Sequence, residues 1–397
     1  RLHQYGTSAP RLEMAVAGAA QRLGLVADVW SSPTAIIISF ADLAQGEEGV
    51  AQTTQVMRLA PGEVNLERLC EADAIADRAI AGELDLREGF RLLRVLGLPD
   101  TRREKIGSIA SYGLSAASIA ALFLHSSWVD LLVAGVIGVI IGSITLLAAS
   151  RPRLAVASDA ICALVATAVT IVVSAFVVPL AIKSVVLASL IILVPGMSLT
   201  TAVREISSQH LVSGMARMGG AMATLLKLTF GTIAATQLCA ALGITARAFA
   251  LPALPTWTDY PALLVAAIAF AILFRAARRD WPVVIAAVIV GYLATRWGGA
   301  ISGSLPGAPF GVFLGGLLLG AFANIYARFA HRPGAVIREP GILLLVPGSV
   351  GFRSMSFLLE RDTSLGMDTG LLLLTLLVSL VAGLMFGDLL VSPRRSL

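Results

Sequence analysis

The sequence predicts a polytopic α-helical membrane protein. About ten transmembrane helices are expected, arranged as a 5+5 inverted repeat, with a small α/β cytoplasmic domain at the N-terminus. Three observations carry this. Charge is unevenly divided: 27 of the first 105 residues are Asp, Glu, Lys or Arg, against 28 of the remaining 292. The first density is that of an ordinary soluble domain, about a quarter of residues. The second would leave a water-soluble fold of that size without a polar surface, which excludes a soluble enzyme as the whole molecule. The charge-poor part divides into apolar stretches of about 20 residues, the length that crosses a bilayer. Within them a Leu-Val-Pro-Gly tetrapeptide occurs twice, at corresponding places in two halves.

The soluble domain is expected over residues 1–104. Ser8 can cap a helix over 9–23, whose Leu12, Val16, Ala19 and Leu23 share one stripe, and Gly24 suits its end. Residues 35–40 (AIIISF) and 53–59 (TTQVMRL) read as short strands rich in β-branched residues. Asn65 can cap a helix running to about Ala81. Asp85 and Glu88 have the spacing of a capping box, opening a helix that carries Phe90, Leu93 and Leu96 and stops at Gly97 and Pro99. The domain has no P-loop, nucleophile elbow, HExxH or dinucleotide fingerprint, which argues against an ATP-driven pump and implies no cofactor. Residues 1–24 lack the basic-then-apolar opening of a signal peptide, and the chain has no initiator Met, as if trimmed. Arg11 and Glu13 sit in the first turn of the first helix. Spacing alone reads them as a solvated pair, with Glu13 favourable to the helix dipole.

Ten candidate spans follow, at about 106–124, 129–150, 155–176, 182–202, 216–243, 260–275, 281–297, 305–327, 340–358 and 369–391. They divide into repeats over 105–248 and 249–397. Residues 1–105 carry a net charge of −3 and the remainder +8, so the basic excess belongs to the apolar part. Most of its Arg, Lys and His residues fall in every second loop: before the first span, after the second, between the fourth and fifth (Arg204, His210, Arg217), after the sixth, after the eighth (Arg328, His331, Arg332, Arg338) and at the C-terminus, while the alternate loops hold Lys183, Arg247, Arg296 and Arg361. By the positive-inside bias both termini are cytoplasmic. No basic stripe suited to nucleic acid is visible. Cys70, Cys162 and Cys239 are scattered and suggest no disulfide framework, and the four histidines suggest no metal site.

Leu193-Val-Pro-Gly196 recurs as Leu345-Val-Pro-Gly348, and the same offset carries Gly214-Met215 onto Gly366-Met367. Five spans per half make the halves antiparallel, the layout of many secondary transporters with broken helices. Pro195 and Pro347 remove a backbone donor, and Gly196 and Gly348 let the chain open. The break then offers helix ends and carbonyls to a zwitterionic or ionic substrate, although a simple kink would use the same residues. Ser198, Thr200 and Ser349 flank the breaks and can donate to a substrate or to their own helix. Intramembrane charge is costly and marks function by default. Lys227 or Arg353 can hold a substrate carboxylate, or serve as a snorkelling or interfacial anchor. Asp159 can carry protons or cap its helix. Asn324, like the hydroxyls, can donate to a substrate or bond its own helix, and Asp388 reads as interfacial. A passive channel for small solutes, and a membrane scaffold whose cytoplasmic domain binds a partner, are the alternative functions. An intramembrane enzyme would need a nucleophile–base or metal cluster that the sequence lacks.

Three stretches resemble the ThrE threonine/serine exporter family. Tyr5-Gly6-x-Ser8-x-x-Arg11-x-Glu13, running on to Arg22-Leu-Gly24, looks like its opening motif. Leu193-Val-Pro-Gly-Met-Ser-Leu-Thr200-x-Ala202, continuing to Gly214 and Arg217, looks like its central one, and Leu345–Gly348 like that of its last five spans. The resemblance implies a bacterial inner-membrane exporter of L-threonine and L-serine driven by the proton motive force. Its partners would be a small amino-acid substrate, protons and the lipid bilayer, with a homodimer compatible. It raises Arg11 and Glu13 to a functional motif, structural or gating. Glu205 stands where the resemblance leads one to expect an aspartate.

Overall fold

The computed structural model describes residues 3–7, 9–42, 53–59, 62, 64–124, 126–247, 252–302 and 308–393. The Ser8 cap expected for the first helix and the last basic residues, Arg394 and Arg395, lie outside them, as does the side chain of Arg11.

The N-terminal part opens with helix α1 (Ala9–Arg22), which ends where Gly24 takes φ +78°, a conformation that L side chains rarely adopt. Strands β1 (Leu25–Ser32), β2 (Ala35–Asp42) and β3 (Thr53–Arg58) form an antiparallel meander in the order β1-β2-β3. Val29 pairs with Ile38, and Ile38 with Gln55. One face is covered by α1, whose Leu12 packs on Ile36 and Ile38 beside Val16, Ala27, Val29 and Phe40. The β1 strand was absent from the expected elements. Its Ala27 and Asp28 are weak strand formers, and pairing with β2 sustains it instead. Helix α2 (Leu66–Ile80) is capped by Asn65, which accepts from the Arg68 N–H at 3.0 Å, as expected. Helix α3 (Leu86–Val95) departs in detail. Asp85 caps the Arg87 N–H at 3.2 Å, but Glu88 turns outward to Arg91 instead of closing a capping box.

Beyond it come α4 (Arg102–Leu122), α5 (Trp128–Ala149), α6 (Pro152–Phe176), α7 (Ile182–Leu190), α8 (Gly196–Ser207), α9 (Leu211–Ala241), α10 (Asp259–Leu273), α11 (Trp281–Ile301), α12 (Pro309–Ala330), α13 (Ala335–Ile342), α14 (Gly348–Leu359) and α15 (Thr363–Leu390). Among the described residues seven segments are long and apolar enough to cross a membrane: α5, α6, α9, α12, α15, and α10 and α11 with the short turns that precede them. The chain is thus a multi-pass helical membrane protein with a small N-terminal three-stranded sheet. The other three expected spans differ for physical reasons. Helix α4 begins with Arg102, Arg103, Glu104 and Lys105, and its buried face includes Ser111, Ser115 and Ser118 among small apolar residues. The remaining two are each split at a Pro-Gly pair, giving α7–α8 and α13–α14.

The two split elements share a geometry. Helix α8 begins at Gly196 and α14 at Gly348, and both have 12 residues. Pro195 (φ −79°, ψ 42°) and Pro347 (φ −81°, ψ 38°) cap them in nearly the same conformation. The turns that follow pass through Gln209 and Arg361, both in the left-handed region at φ 66° and 67°. A β-carbon on Gly214 would meet Ile206, and one on Gly366 would meet Leu358. Each of these pairs is related by the offset seen in the sequence. Helix α8 packs on α9 as α14 packs on α15, and each half-helix also crosses to the other side, α8 touching α15 and α14 touching α9.

Candidate functional site at the crossing of two broken helices

The two Pro-Gly breaks touch. A β-carbon added to Gly196 would lie 2.2 Å from Val346 Cγ1 and 3.1 Å from the Gly348 Cα. One added to Gly348 would lie 2.9 Å from Val194 Cγ1 and 3.1 Å from the Gly196 Cα. Only hydrogen at both positions permits this approach. Val194, Gly196, Leu345, Pro347 and Gly348 are buried there, in a layer bounded by Leu190, Leu199 and Ile342. The half-helices α8 and α14 both start at this point. The first N–H groups of any helix lack intrahelical acceptors and carry the positive end of its dipole. Two such ends meet here; the Gly196 N–H itself is bonded to the Val194 carbonyl at 2.8 Å, and the positive dipole ends that remain favour a carboxylate.

Around the crossing, Thr200 is 2 % exposed, and its hydroxyl donates to the Gly196 carbonyl at 3.1 Å, so it is satisfied by its own helix. Ser198 is exposed and Ser349 half-buried. Arg353, one turn into α14, is exposed and has no ion-pair partner among the described residues. Lys227 and Asp159 were assigned separate roles by the sequence. The structure joins them, with Lys227 Nζ 3.5 Å from Asp159 Oδ2 between α9 and α6.

At the end of the bundle bearing the N-terminal sheet, Asp388 of α15 holds three partners. Its carboxylate accepts from Arg338 of α13 at 2.8 Å, from Asn324 of α12 at 2.7 Å and from Arg204 of α8 at 3.3 Å. One carboxylate thereby ties a half of each broken element together. At the opposite end the corresponding link is weaker, Lys183 of α7 standing 5.9 Å from the Phe357 ring centroid of α14.

Glu13 acts at a domain contact and not as a solvated pair. Its carboxylate accepts from the Ser31 N–H (2.8 Å) and hydroxyl (3.0 Å), and meets His210 Nε2 at 3.1 Å in the α8–α9 turn. Next to it Glu205, 1 % exposed, accepts from Arg217 (3.0 Å), Ser213 (2.8 Å) and, across the contact, the Ala9 N–H at the start of α1 (3.3 Å). A carboxylate at the first N–H of a helix satisfies an unpaired donor and favours the dipole.

One family model, described as "Putative threonine/serine exporter", matches residues 1–239, and a second, "Threonine/Serine exporter, ThrE", matches residues 260–390. The chain belongs to the ThrE threonine/serine exporter family. The interval between the two ThrE matches runs from the last residues of α9 to the first of α10. The chain is also similar to pheromone-regulated membrane protein 10 of Eremothecium gossypii, 21% identical over 88% of this chain and 47% of the relative. It is similar to the protein of that name from Zygosaccharomyces rouxii, 22% identical over 99% and 42%, and to an uncharacterized Schizosaccharomyces pombe protein, 23% identical over 99% and 54%. The chain thus spans about half the length of the curated relatives it matches. No solved structure matches it.

In this ThrE chain the sequence located the breaks but missed the partners of its polar residues. Arg204, His210, Arg217 and Arg338 were markers of loop sidedness, and Asp388 an interfacial anchor. Their partnerships span up to 197 residues of sequence, a separation that no local pattern records.

Proposed function

We propose that this protein exports threonine and serine across the bacterial inner membrane by alternating access about the crossing of α7–α8 with α13–α14. In this reading the helices form ten spans as two inverted five-span repeats, 105–248 and 249–397. The N-terminal domain, 1–104, and both chain ends are cytoplasmic. The observation that carries the proposal is the reciprocal approach of Gly196 and Gly348, with two half-helix N-termini converging on one buried point.

A hydroxy amino acid presents a carboxylate, an ammonium and one hydroxyl. The carboxylate is received by the first N–H groups of α8 and α14, with Pro195, Gly196, Pro347 and Gly348 setting the backbone. Ser198 and Ser349 supply side-chain donors, and Thr200 rigidifies the start of α8. Arg353 draws the carboxylate along the α14 side. Asp159 carries the coupling proton. The substrate ammonium and the proton compete for the Asp159 carboxylate while Lys227 holds the substrate carboxylate, so uptake of a proton expels substrate and the two exchange on one pair. The Asp388 cluster holds α8, α13 and α15 together at the cytoplasmic end, so this conformation is closed on that side. Glu13 belongs to the contact that transmits motion between the N-terminal domain and the α8–α9 turn, and Arg11 shares that role by its place in the same motif. Nothing in this scheme needs a metal, a nucleotide or a second subunit, and a homodimer remains compatible with it.

The test is efflux from cells loaded with threonine. Gly196→Leu and Gly348→Leu proteins, present at wild-type levels in the membrane, are expected to lose export. Export at the wild-type rate by either would remove the crossing from the pathway.

A further inference from the structure

At the opposite end of the bundle from the Asp388 cluster, the start of α10 and the end of α11 enclose a cavity of about 400 Å3 that the transport scheme does not use. It is lined by Asp259, Tyr260, Leu263, Tyr292, Arg296 and Trp297, among others. Its polar groups are set up in one direction. Asp259 is 7 % exposed, and its Oδ2 accepts from Arg296 at 3.1 Å. Its other oxygen, Oδ1, is buried without a hydrogen-bond donor among the described residues. The Arg296 guanidinium also reaches the Tyr292 hydroxyl at 3.5 Å and stands 5.9 Å from that ring's centroid. Phe123 meets the Tyr292 ring edge-on at 6.0 Å and holds it in place. The Arg296 side chain is 47 % exposed, against 9 % for Asp259, so the guanidinium stands at the mouth and the carboxylate at the floor.

A buried carboxylate oxygen without a donor leaves an unmet hydrogen bond, which is costly and specific about what fills it. A simple anion entering this cavity would be repelled by Asp259, and a simple cation by Arg296. A ligand carrying an ammonium and an anionic group on adjacent atoms meets both: the ammonium goes to the Asp259 carboxylate at the floor, whose covered Oδ1 reaches it by a turn of the carboxyl group, and the anion to the outward donors of Arg296. Leu263 leaves an apolar wall for a short side chain. The volume lies near the lower end of small-molecule sites, which suits a ligand of amino-acid size.

We infer that this cavity is a binding site for a free zwitterionic α-amino acid, entering ammonium first, at the face of the membrane opposite the N-terminal domain. The site is separate from the helix crossing and binds whether or not the crossing is the route of transport. The ammonium and phosphate of a phosphatidylethanolamine headgroup carry the same pair of charges, and Tyr260 and Trp297 are exposed as interfacial aromatics are. The experiment therefore separates the two sources.

Full-length protein in phosphatidylglycerol nanodiscs, free of ethanolamine lipid, is titrated with labelled L-threonine. Asp259→Asn and Arg296→Gln are each expected to weaken one class of sites by about tenfold or more, the loss of one charge-assisted bond. Threoninol, without the carboxylate, and 3-hydroxybutyrate, without the ammonium, compete at least tenfold less well than threonine. Trp297→Leu, on the exposed rim, controls for misfolding. It should leave thermal stability unchanged and lower affinity severalfold. Gly196→Leu protein should retain this class of sites, so that failure of the crossing and failure of the cavity give different results. Unchanged threonine binding in Asp259→Asn and Arg296→Gln overturns the inference. So does phosphatidylethanolamine co-purifying in an Asp259-dependent manner with no threonine binding in its absence.

Discussion

Replacing Gly196 with alanine perturbs the crossing at its tightest point. The new β-carbon would sit 2.2 Å from Val346 Cγ1, about 1.2 Å inside the 3.4 Å at which ordinary contact begins, and 0.3 Å too close to the Gly348 Cα. The first overlap is with a β-branched side chain that has few alternative rotamers, and the second with backbone. Overpacking of this kind costs about 1–3 kcal/mol. Gly348→Ala meets Val194 Cγ1 at 2.9 Å, an overlap of only 0.5 Å, so it should be the milder change. The reciprocal geometry also specifies the suppressors. Val346→Ala should restore much of what Gly196→Ala loses, and Val194→Ala much of what Gly348→Ala loses, with little benefit from the swapped combinations. Thermal unfolding in detergent and threonine efflux, compared as double-mutant cycles, measure both effects. Full stability and export in Gly196→Ala, or rescue that does not depend on which valine is trimmed, would refute the close approach on which the site rests.

Three further outcomes follow from the same structure. Asp388→Asn removes the charge shared by Arg204 and Arg338; it should raise labelling of a cysteine placed at Ser198 by a membrane-impermeant maleimide from the cytoplasmic side, and unchanged labelling would show that the cluster is no latch. Asp159→Asn should abolish export against a threonine gradient while leaving downhill flux, and retained uphill export would end its proton role. His3 is buried, which holds its imidazole below the ordinary value, while its Nε2 donates to the Pro33 carbonyl at 3.0 Å and opposes that shift. The unfolded chain then takes up a proton that the folded chain resists, so the stability of the N-terminal domain should fall as pH drops below about 6.5, the ordinary value. His3→Gln should flatten that dependence in limited proteolysis, and an equally steep fall would assign it to other groups.

What could be read from the sequence was local. Caps such as Asn65, the end of α1 at Gly24 and the two Pro-Gly breaks are short-range consequences of side-chain chemistry, and each lies where its residues direct. The β1 strand was missed because Ala27, Asp28 and the closing serines interrupt its Val and Trp residues, and pairing with β2 sustains it. Intramembrane polar residues were found one at a time, since hydropathy registers cost but not partner. Asp159 and Lys227 lie 68 residues apart, and Asp388 and Arg204 lie 184 apart. The Asp259–Arg296 cavity was missed for a further reason. Both residues sit near the ends of apolar spans, where charge is ordinary, and only the burial of Asp259 Oδ1 sets them apart.

The central claim is that this chain moves threonine uphill by proton exchange through the crossing. Labelled threonine offered to inside-out vesicles with an acidic interior measures it directly. Wild-type protein should accumulate threonine above the external concentration and lose the excess when the gradient is collapsed, while Gly196→Leu protein at equal abundance should not accumulate it. Threonine that only equilibrates in wild-type vesicles, or that accumulates equally with Gly196→Leu, would contradict the account.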